Sequence, residues 1–397
     1  GSVATARAIL SHALSFFPNK RSLWIQTVDL ERSHGTPTTL DEVLAAASER
    51  LPRAEIFWLL RAKERWLLGD IDKAREILTD AFAANPDSEQ VWLAAAKLEW
   101  ETGESERAQI LLHRARERAP TPRVFMKSAL LEREQKNFDP SLALIEEGLM
   151  KYPTFPKLYM MGGQICSDDL QPPKLILNLN KARTFYQRGL QQCPNNVILW
   201  TLASRLEENA NTFHDKNDNN KNGSNKSNNN NSSSSSSNSS SRGGGITKAR
   251  GLLEIARLKN PKNPQLWLES IRMQRRCGNG SGNGDTASNS NNNSNNSEKL
   301  ARDLMSRALQ ECPNSGILLA ENIVTSPQHV EQKSKAADAI KRCPEDPVVI
   351  CSVASLFVLE KKHEKARKWF ERAVILDPNI GDIWVKYYVF ELQLQNK

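Results

Sequence analysis

Nothing in this sequence stays apolar for the roughly 18 consecutive residues that a bilayer-spanning helix requires. No basic segment followed by an apolar one opens it either, so the expectation is a soluble, intracellular chain. Cysteine is scarce, six in 397 residues, and no two are spaced C-x-x-C. That argues against a disulfide framework or a zinc site and for reduced, packed thiols. The six histidines are scattered, and His12, His113 and His363 have no Cys or His at a ligand spacing. There is no phosphate-cradling glycine loop followed by Lys-Ser/Thr, no H-E-x-x-H and no G-x-S-x-G. Gly278, Gly280, Gly282 and Gly284 only alternate with polar residues inside a low-complexity tract. Excess charge is modest as well: a net +8 with a quarter of residues charged is ordinary for a soluble domain and does not establish a nucleic-acid footprint. The expectation is therefore a protein that is not an enzyme, with no catalytic, cofactor or metal residues, no small-molecule substrate and no membrane contact.

What is present is a ruler. Pro18, Pro52, Pro86 and Pro120 stand 34 residues apart, and the series continues through Pro153, Pro194, Pro261, Pro313, Pro344 and Pro378. A fixed period of this length marks a helical-repeat array. Six residues after a proline stands Trp24, Trp58, Trp92, Tyr159, Trp200, Trp267 or Trp384. Five residues before each of the ten stands a small residue: Ala13, Ala47, Ala81, Ala115, Gly148, Gly189, Ala256, Ala308, Ala339 and Ala373. The chain is thus read as all-α, a right-handed superhelical solenoid of antiparallel helix pairs, about nine complete pairs with a half-repeat at each end. Both ends read as cut within a longer array.

Within Pro52 to Pro86, apolar residues at Phe57, Trp58, Leu60 and Leu67 recur with helical spacing over Glu55 to Leu68, which predicts a helix A. Gly69-Asp70 breaks it, as Gly35 and Gly103 do in the flanking repeats. Helix B follows from Asp72 and stops at the proline, which cannot continue a helix. Ala74 and Ala81 lie seven residues apart on one face of helix B, so helix A approaches closely and its Trp packs there. Seven residues after the aromatic stands Glu31, Glu99, Glu207 or Glu391, and after the first small residue of helix B stands Arg7, Arg75, Arg183, Arg250, Arg302 or Arg367. These positions predict a Glu–Arg pair between neighbouring helices that sets the stacking register, worth about 0–1 kcal/mol if exposed. Departures fall at Met126 (beside Phe125), Leu319 and Ile350 for the aromatic, and at Leu40, Ser141 and Gln332 for the first small residue.

Three repeats exceed the period, and in each the surplus falls between helix A and helix B. Helical repeats are expected over 1–208, 246–277 and 298–397. Between them lie a disordered Asn/Ser-rich insertion over 209–245 and a second, Gly/Asn/Ser-rich, over 278–297, both too poor in apolar groups to offset the entropy of ordering. Ser167 to Leu179 reads as a longer loop. Basic side chains keep to one side of a helix at Arg272, Arg275 and Arg276 and again at Lys361, Lys365 and Lys368, making two candidate contact surfaces for RNA phosphates or an acidic partner; an ordinary solvated face is the plainer reading.

The period, the small-residue pairs and the terminal proline resemble the tetratricopeptide repeat; the Trp with Glu seven residues on resembles its relative in RNA processing, the half-a-tetratricopeptide (HAT) repeat. Longer strings are similar to the pre-mRNA-processing factor 6 family: ARAILSHALSFFPNKRSLW (Ala6 to Trp24), VWLAAAKLE (Val91 to Glu99), RVFMKSALLE (Arg123 to Glu132), FPKLYMMGGQI (Phe155 to Ile165), ARLKNPKNP (Ala256 to Pro264) and LQECPNSGIL (Leu309 to Leu318). The resemblance covers nearly all of the chain outside the Asn/Ser tracts, which depart from the family pattern. It implies a nuclear, non-catalytic splicing scaffold that bridges U5 and U4/U6 snRNP proteins in assembly and stability of the U4/U6.U5 tri-snRNP, with spliceosomal proteins as partners and direct RNA contact left open. The alternatives are another HAT or tetratricopeptide adaptor, in RNA 3′-end processing or chaperone binding, and the substrate-recruiting arm of an enzyme.

Overall fold

The computed structural model describes residues 2–168, 175–221, 244–279 and 287–395. The chain divides into two compact units, Gly1–Phe185 and Tyr186–Lys397. The first holds α1 (Val3–Phe16), α2 (Arg21–His34), α3 (Pro37–Arg50), α4 (Glu55–Leu67), α5 (Ile71–Ala84), α6 (Glu89–Glu101), α7 (Ser105–Arg118), α8 (Pro122–Glu134), α9 (Phe138–Lys151), α10 (Pro156–Asp168) and the start of α11 (Leu175–Gln192). The second holds the rest of α11, then α12 (Val197–Lys221), α13 (Gly244–Lys259), α14 (Pro264–Asn279), α15 (Ala287–Glu311), α16 (Gly316–Val324), α17 (His329–Arg342), α18 (Pro347–Leu359), α19 (His363–Leu376) and α20 (Gly381–Gln395). Even-numbered helices are the A helices and odd-numbered ones the B helices. No strand occurs among the described residues. Among the described residues most successive helices pack together, and A helices also meet the next A helix, α4 on α6 and α14 on α16, whereas no two B helices do so. Clefts therefore open between B helices.

Each B helix ends the same way. The amide of the residue before the proline donates to the small residue four back, Asn85 to Ala81 at 2.8 Å and Ala119 to Ala115 at 2.8 Å, and the chain leaves the helix as the proline requires. The proline carbonyl is then used a second time. Trp24, Trp58, Trp92, Trp200, Trp267 and Trp384 each donate their indole N–H to the carbonyl of the proline six residues back, at 2.7, 3.0, 2.8, 2.8, 3.2 and 2.9 Å. The Tyr159 hydroxyl does so to Pro153 at 3.0 Å. The constant spacing of six is thus a hydrogen-bonded latch as well as a packing position. Pro52 also accepts from Asn85 Nδ2 of the next repeat, and Pro194 from Asn260 Nδ2.

The small residues are small because two A helices converge on them. Ala47, Ala81, Ala115, Ala256, Ala308, Ala339 and Ala373 are fully buried, while Ala13, in the first helix, is half-buried. A Cβ on Gly148 would lie 3.0 Å from Phe125 Cβ of its own repeat and 3.0 Å from Leu158 of the next. Gly148→Ala is accordingly expected to cost about 1–3 kcal/mol by overpacking, less roughly 0.5–1 kcal/mol regained from helix propensity. A melting temperature at or above that of the parent would show that Phe125 and Leu158 give way.

The turn from A to B is closed by paired backbone bonds, Gly69 N to Trp66 O at 2.9 Å and Asp70 N to Arg65 O at 3.0 Å, with the same pair at Gly103 and Glu104. Gly69 (φ 85) and Gly103 (φ 86) take the left-handed conformation this needs, and Lys136 (φ 63) and Lys361 (φ 58) adopt it in equivalent turns. Gly35 differs from the expectation: its φ is −95, and what it provides is room, since a Cβ there would collide with the Glu31 carboxylate.

Two further expectations are corrected. The aromatic station of the fourth repeat is Phe125, fully buried, and not Met126, because Thr121 caps α8 and Pro122 starts it one residue early. Helix reaches into both Asn/Ser-rich tracts, since α12 runs to Lys221 and α15 begins at Ala287. Helix propagates from an anchored end into residues that would not nucleate one. The rest of both tracts, 222–243 and 280–286, lies outside the described residues, as does 169–174 of the expected loop.

Candidate functional site

The expected pairing between helix B and the following helix A is present at three junctions. Arg7 meets Glu31 at 2.6 and 2.9 Å, Arg75 meets Glu99 at 2.8 and 2.8 Å, and Arg367 meets Glu391 at 2.8 and 2.9 Å, each a two-pronged contact. Bonding from Arg7 holds the Glu31 carboxyl below its usual range, and Arg367 does the same for Glu391. Glu31 and Glu99 are buried rather than exposed, so removing either arginine would strand a carboxylate away from water, a larger cost than breaking a surface pair. Two variants of the station carry no Arg–Glu signature. At Asp41 and Arg65 the charges are exchanged between the helices, with contacts of 2.5 and 3.2 Å. At Gln109 and Glu132 an amide replaces the guanidinium, at 2.9 Å.

The basic cluster on α14 serves the fold. Arg272 binds Glu321 of α16 at 2.8 Å, Arg275 donates to the carbonyl of Thr325, which caps the end of α16, and Arg276 binds Glu208 at 2.8 Å and Glu269 at 2.9 Å. Two of the three spend their charge on carboxylates and the third is half-buried. Lys365 and Lys368 are exposed on α19, but Lys361, expected on the same helix side, stands exposed in the left-handed turn before it. Burial pushes the Glu269 carboxyl up, but bonds from Arg205 and Arg276 outweigh it and hold the group below its usual range. A carboxyl depressed in the folded state stabilises fully above its unfolded pKa of about 4.3 and loses that contribution as pH falls through the folded value. Acid unfolding followed by tryptophan emission should therefore steepen below about pH 4, and Glu269→Gln should flatten that limb.

The candidate partner site is a groove between α6 and α8 of about 480 Å³. Leu93, Lys97 and Trp100 line one side, Arg123, Lys127 and Leu130 the other, and Leu112 of α7 lies at its base. The Trp100 indole spans it to Glu134 Oε2 at 2.7 Å, and the Lys97 ammonium sits 5.4 Å from the ring centre of Trp66. Apolar walls with charges of both signs suit a peptide segment and offer no nucleophile–base pair. Sequence reading missed this groove because Trp66 and Trp100, 34 residues apart, lie outside the proline–aromatic ruler. Among the described residues no three His, Cys, Asp or Glu are grouped to hold a metal ion, and no helix is long and apolar enough to cross a membrane. None of the six cysteines is joined in a disulfide.

A tetratricopeptide repeat model matches residues 66–131, which include most of this groove's lining. Pre-mRNA-splicing factor prp1 of Schizosaccharomyces pombe is 36% identical over 392 residues, 99% of this chain, and the chain spans 37% of that relative's length. Protein STABILIZED1 of Arabidopsis thaliana is 56% identical over 62 residues, 16% of this chain and 6% of its own. Pre-mRNA-processing factor 6 of Homo sapiens is 46% identical over 63 residues, 16% of this chain and 7% of its own.

Proposed function

This chain belongs to the pre-mRNA-processing factor 6 family, and on that footing we propose that it acts in the nucleus as a non-catalytic scaffold in pre-mRNA splicing. Its role is to bridge U5 and U4/U6 snRNP proteins, so that the tri-snRNP assembles and holds together. The observation that carries the reading is similarity along nearly the whole chain to a protein named as a pre-mRNA-splicing factor. The physics agrees: an array in which each repeat touches only its neighbours offers long surfaces and needs no reacting residue. The α6–α8 groove is the surface offered to a partner segment. Crosslinking mass spectrometry of the full-length protein in nuclear extract tests it. Links from Lys97 and Lys127 to U5 or U4/U6 proteins are expected, and links confined to chaperones would overturn the scaffold reading.

A further inference from the structure

The cleft between α13 and α15, floored by α14, has a volume of about 280 Å³ and is lined by Arg250, Arg257, Arg307, Glu254, Gln274 and apolar side chains that include Met273. Its origin is a broken register pair. Arg250 and Gln274 stand 24 residues apart, at the stations filled elsewhere by Arg7 and Glu31, Arg75 and Glu99, Arg367 and Glu391. Here the carboxylate is absent. The Gln274 side chain is 3% exposed, and its Nε2 has no hydrogen-bond partner. Arg250 and Arg307 make no ion pair with a described residue. Arg257 is held in place, its guanidinium 4.6 Å from the Trp267 ring centre and its Nε donating to Leu253 O at 3.3 Å, and burial works against its charge. Three guanidiniums and a buried amide donor thus face one depression, with Glu254 as the lone carboxylate in its lining.

We propose that this cleft binds a phosphomonoester, the phosphorylated Ser or Thr side chain of a protein partner. Three positive charges against one negative leave two, which matches a phosphomonoester near neutral pH, of charge about −1.5 to −2. Planar guanidiniums recognise phosphate oxygens in forked geometry. The small volume and the apolar wall of Leu253, Met273, Leu300 and Leu304 fit one side chain and its stem better than a nucleic-acid backbone, which needs a continuous basic track. The assignment stands or falls on anion binding, independently of the splicing reading.

The test uses the full chain labelled with ¹³C-methyl methionine, which gives six signals, and a Gly-phosphoserine-Gly peptide as probe. The Met273 methyl is expected to shift saturably with this peptide and not with its unphosphorylated form. Gln274→Glu supplies the missing carboxylate to Arg250, so it is expected to raise the melting temperature and abolish the shift. Arg307→Gln, at an exposed position that leaves folding intact, should weaken binding about tenfold, the loss of one charge-assisted contact. No saturable shift, equal shifts by both peptides, an acetate response as strong as the phosphopeptide's, or tighter binding of oligouridylate would each overturn the proposal.

Discussion

Trp92→Ala is expected to lower stability by roughly 3–5 kcal/mol, the cost of emptying a large core position. Trp92 packs against Phe82, ring centres 4.3 Å apart, lies in a cluster with Ala115, Ala119 and Val124, and donates to the carbonyl of Pro86. It therefore ties three elements at once: the end of α5, its own α6 and the end of α7. Because repeats couple only to neighbours, the loss should be local. Hydrogen exchange should accelerate across α5 to α8 and stay unchanged in α18 and α19; uniform loss along the chain would contradict this. Trp92→Phe separates latch from bulk. It should cost about 1 kcal/mol from the hydrogen bond, since Pro86 is exposed and water replaces the indole. Trp58→Phe should cost less, because Asn85 still donates to Pro52.

Glu99→Arg is expected to destabilise by about 3 kcal/mol, with some of the penalty screened because the Arg75 side chain is 30% exposed. The change sets two guanidiniums against each other at a site where the carboxylate is buried. The double exchange Arg75→Glu with Glu99→Arg should recover most of the loss. The reason lies one repeat earlier, where Asp41 on helix B and Arg65 on helix A already carry the inverted polarity. Thermal melting of the two singles and the double gives the coupling directly. A double variant no more stable than Glu99→Arg alone would mean that the station tolerates one polarity only at each junction. Mixed polarities would instead let each B helix accept its proper successor and reject others, a register code.

The repeat architecture was legible because its signals are local or periodic. Pro stops a helix wherever it stands, and Ala81 with Trp92 recurs at fixed separation, so α1 to α20 follow from backbone sterics and spacing. The Arg7–Glu31 type of pair was legible too, since one residue at a fixed station faces another. The Asp41–Arg65 pair escaped because a search for Arg followed by Glu ignores the inverse, although the physics demands only opposite charge. Phe125 was misplaced by one residue because Pro122 restarts the count.

Sequence alone determined the period, the helices and their pairing, since these depend on backbone conformation and on residues close in the chain. Tertiary structure decided which charges are already spent. Arg272 and Arg276 looked like a basic surface, but Glu321 and Glu208 lie within 3 Å of them from other helices, and Glu269 lies as close to Arg276 on α14 itself. Arg250, apparently one more register arginine, faces an amide. Coulomb energy falls with distance and with solvent exposure, and both are set only when separate helices pack.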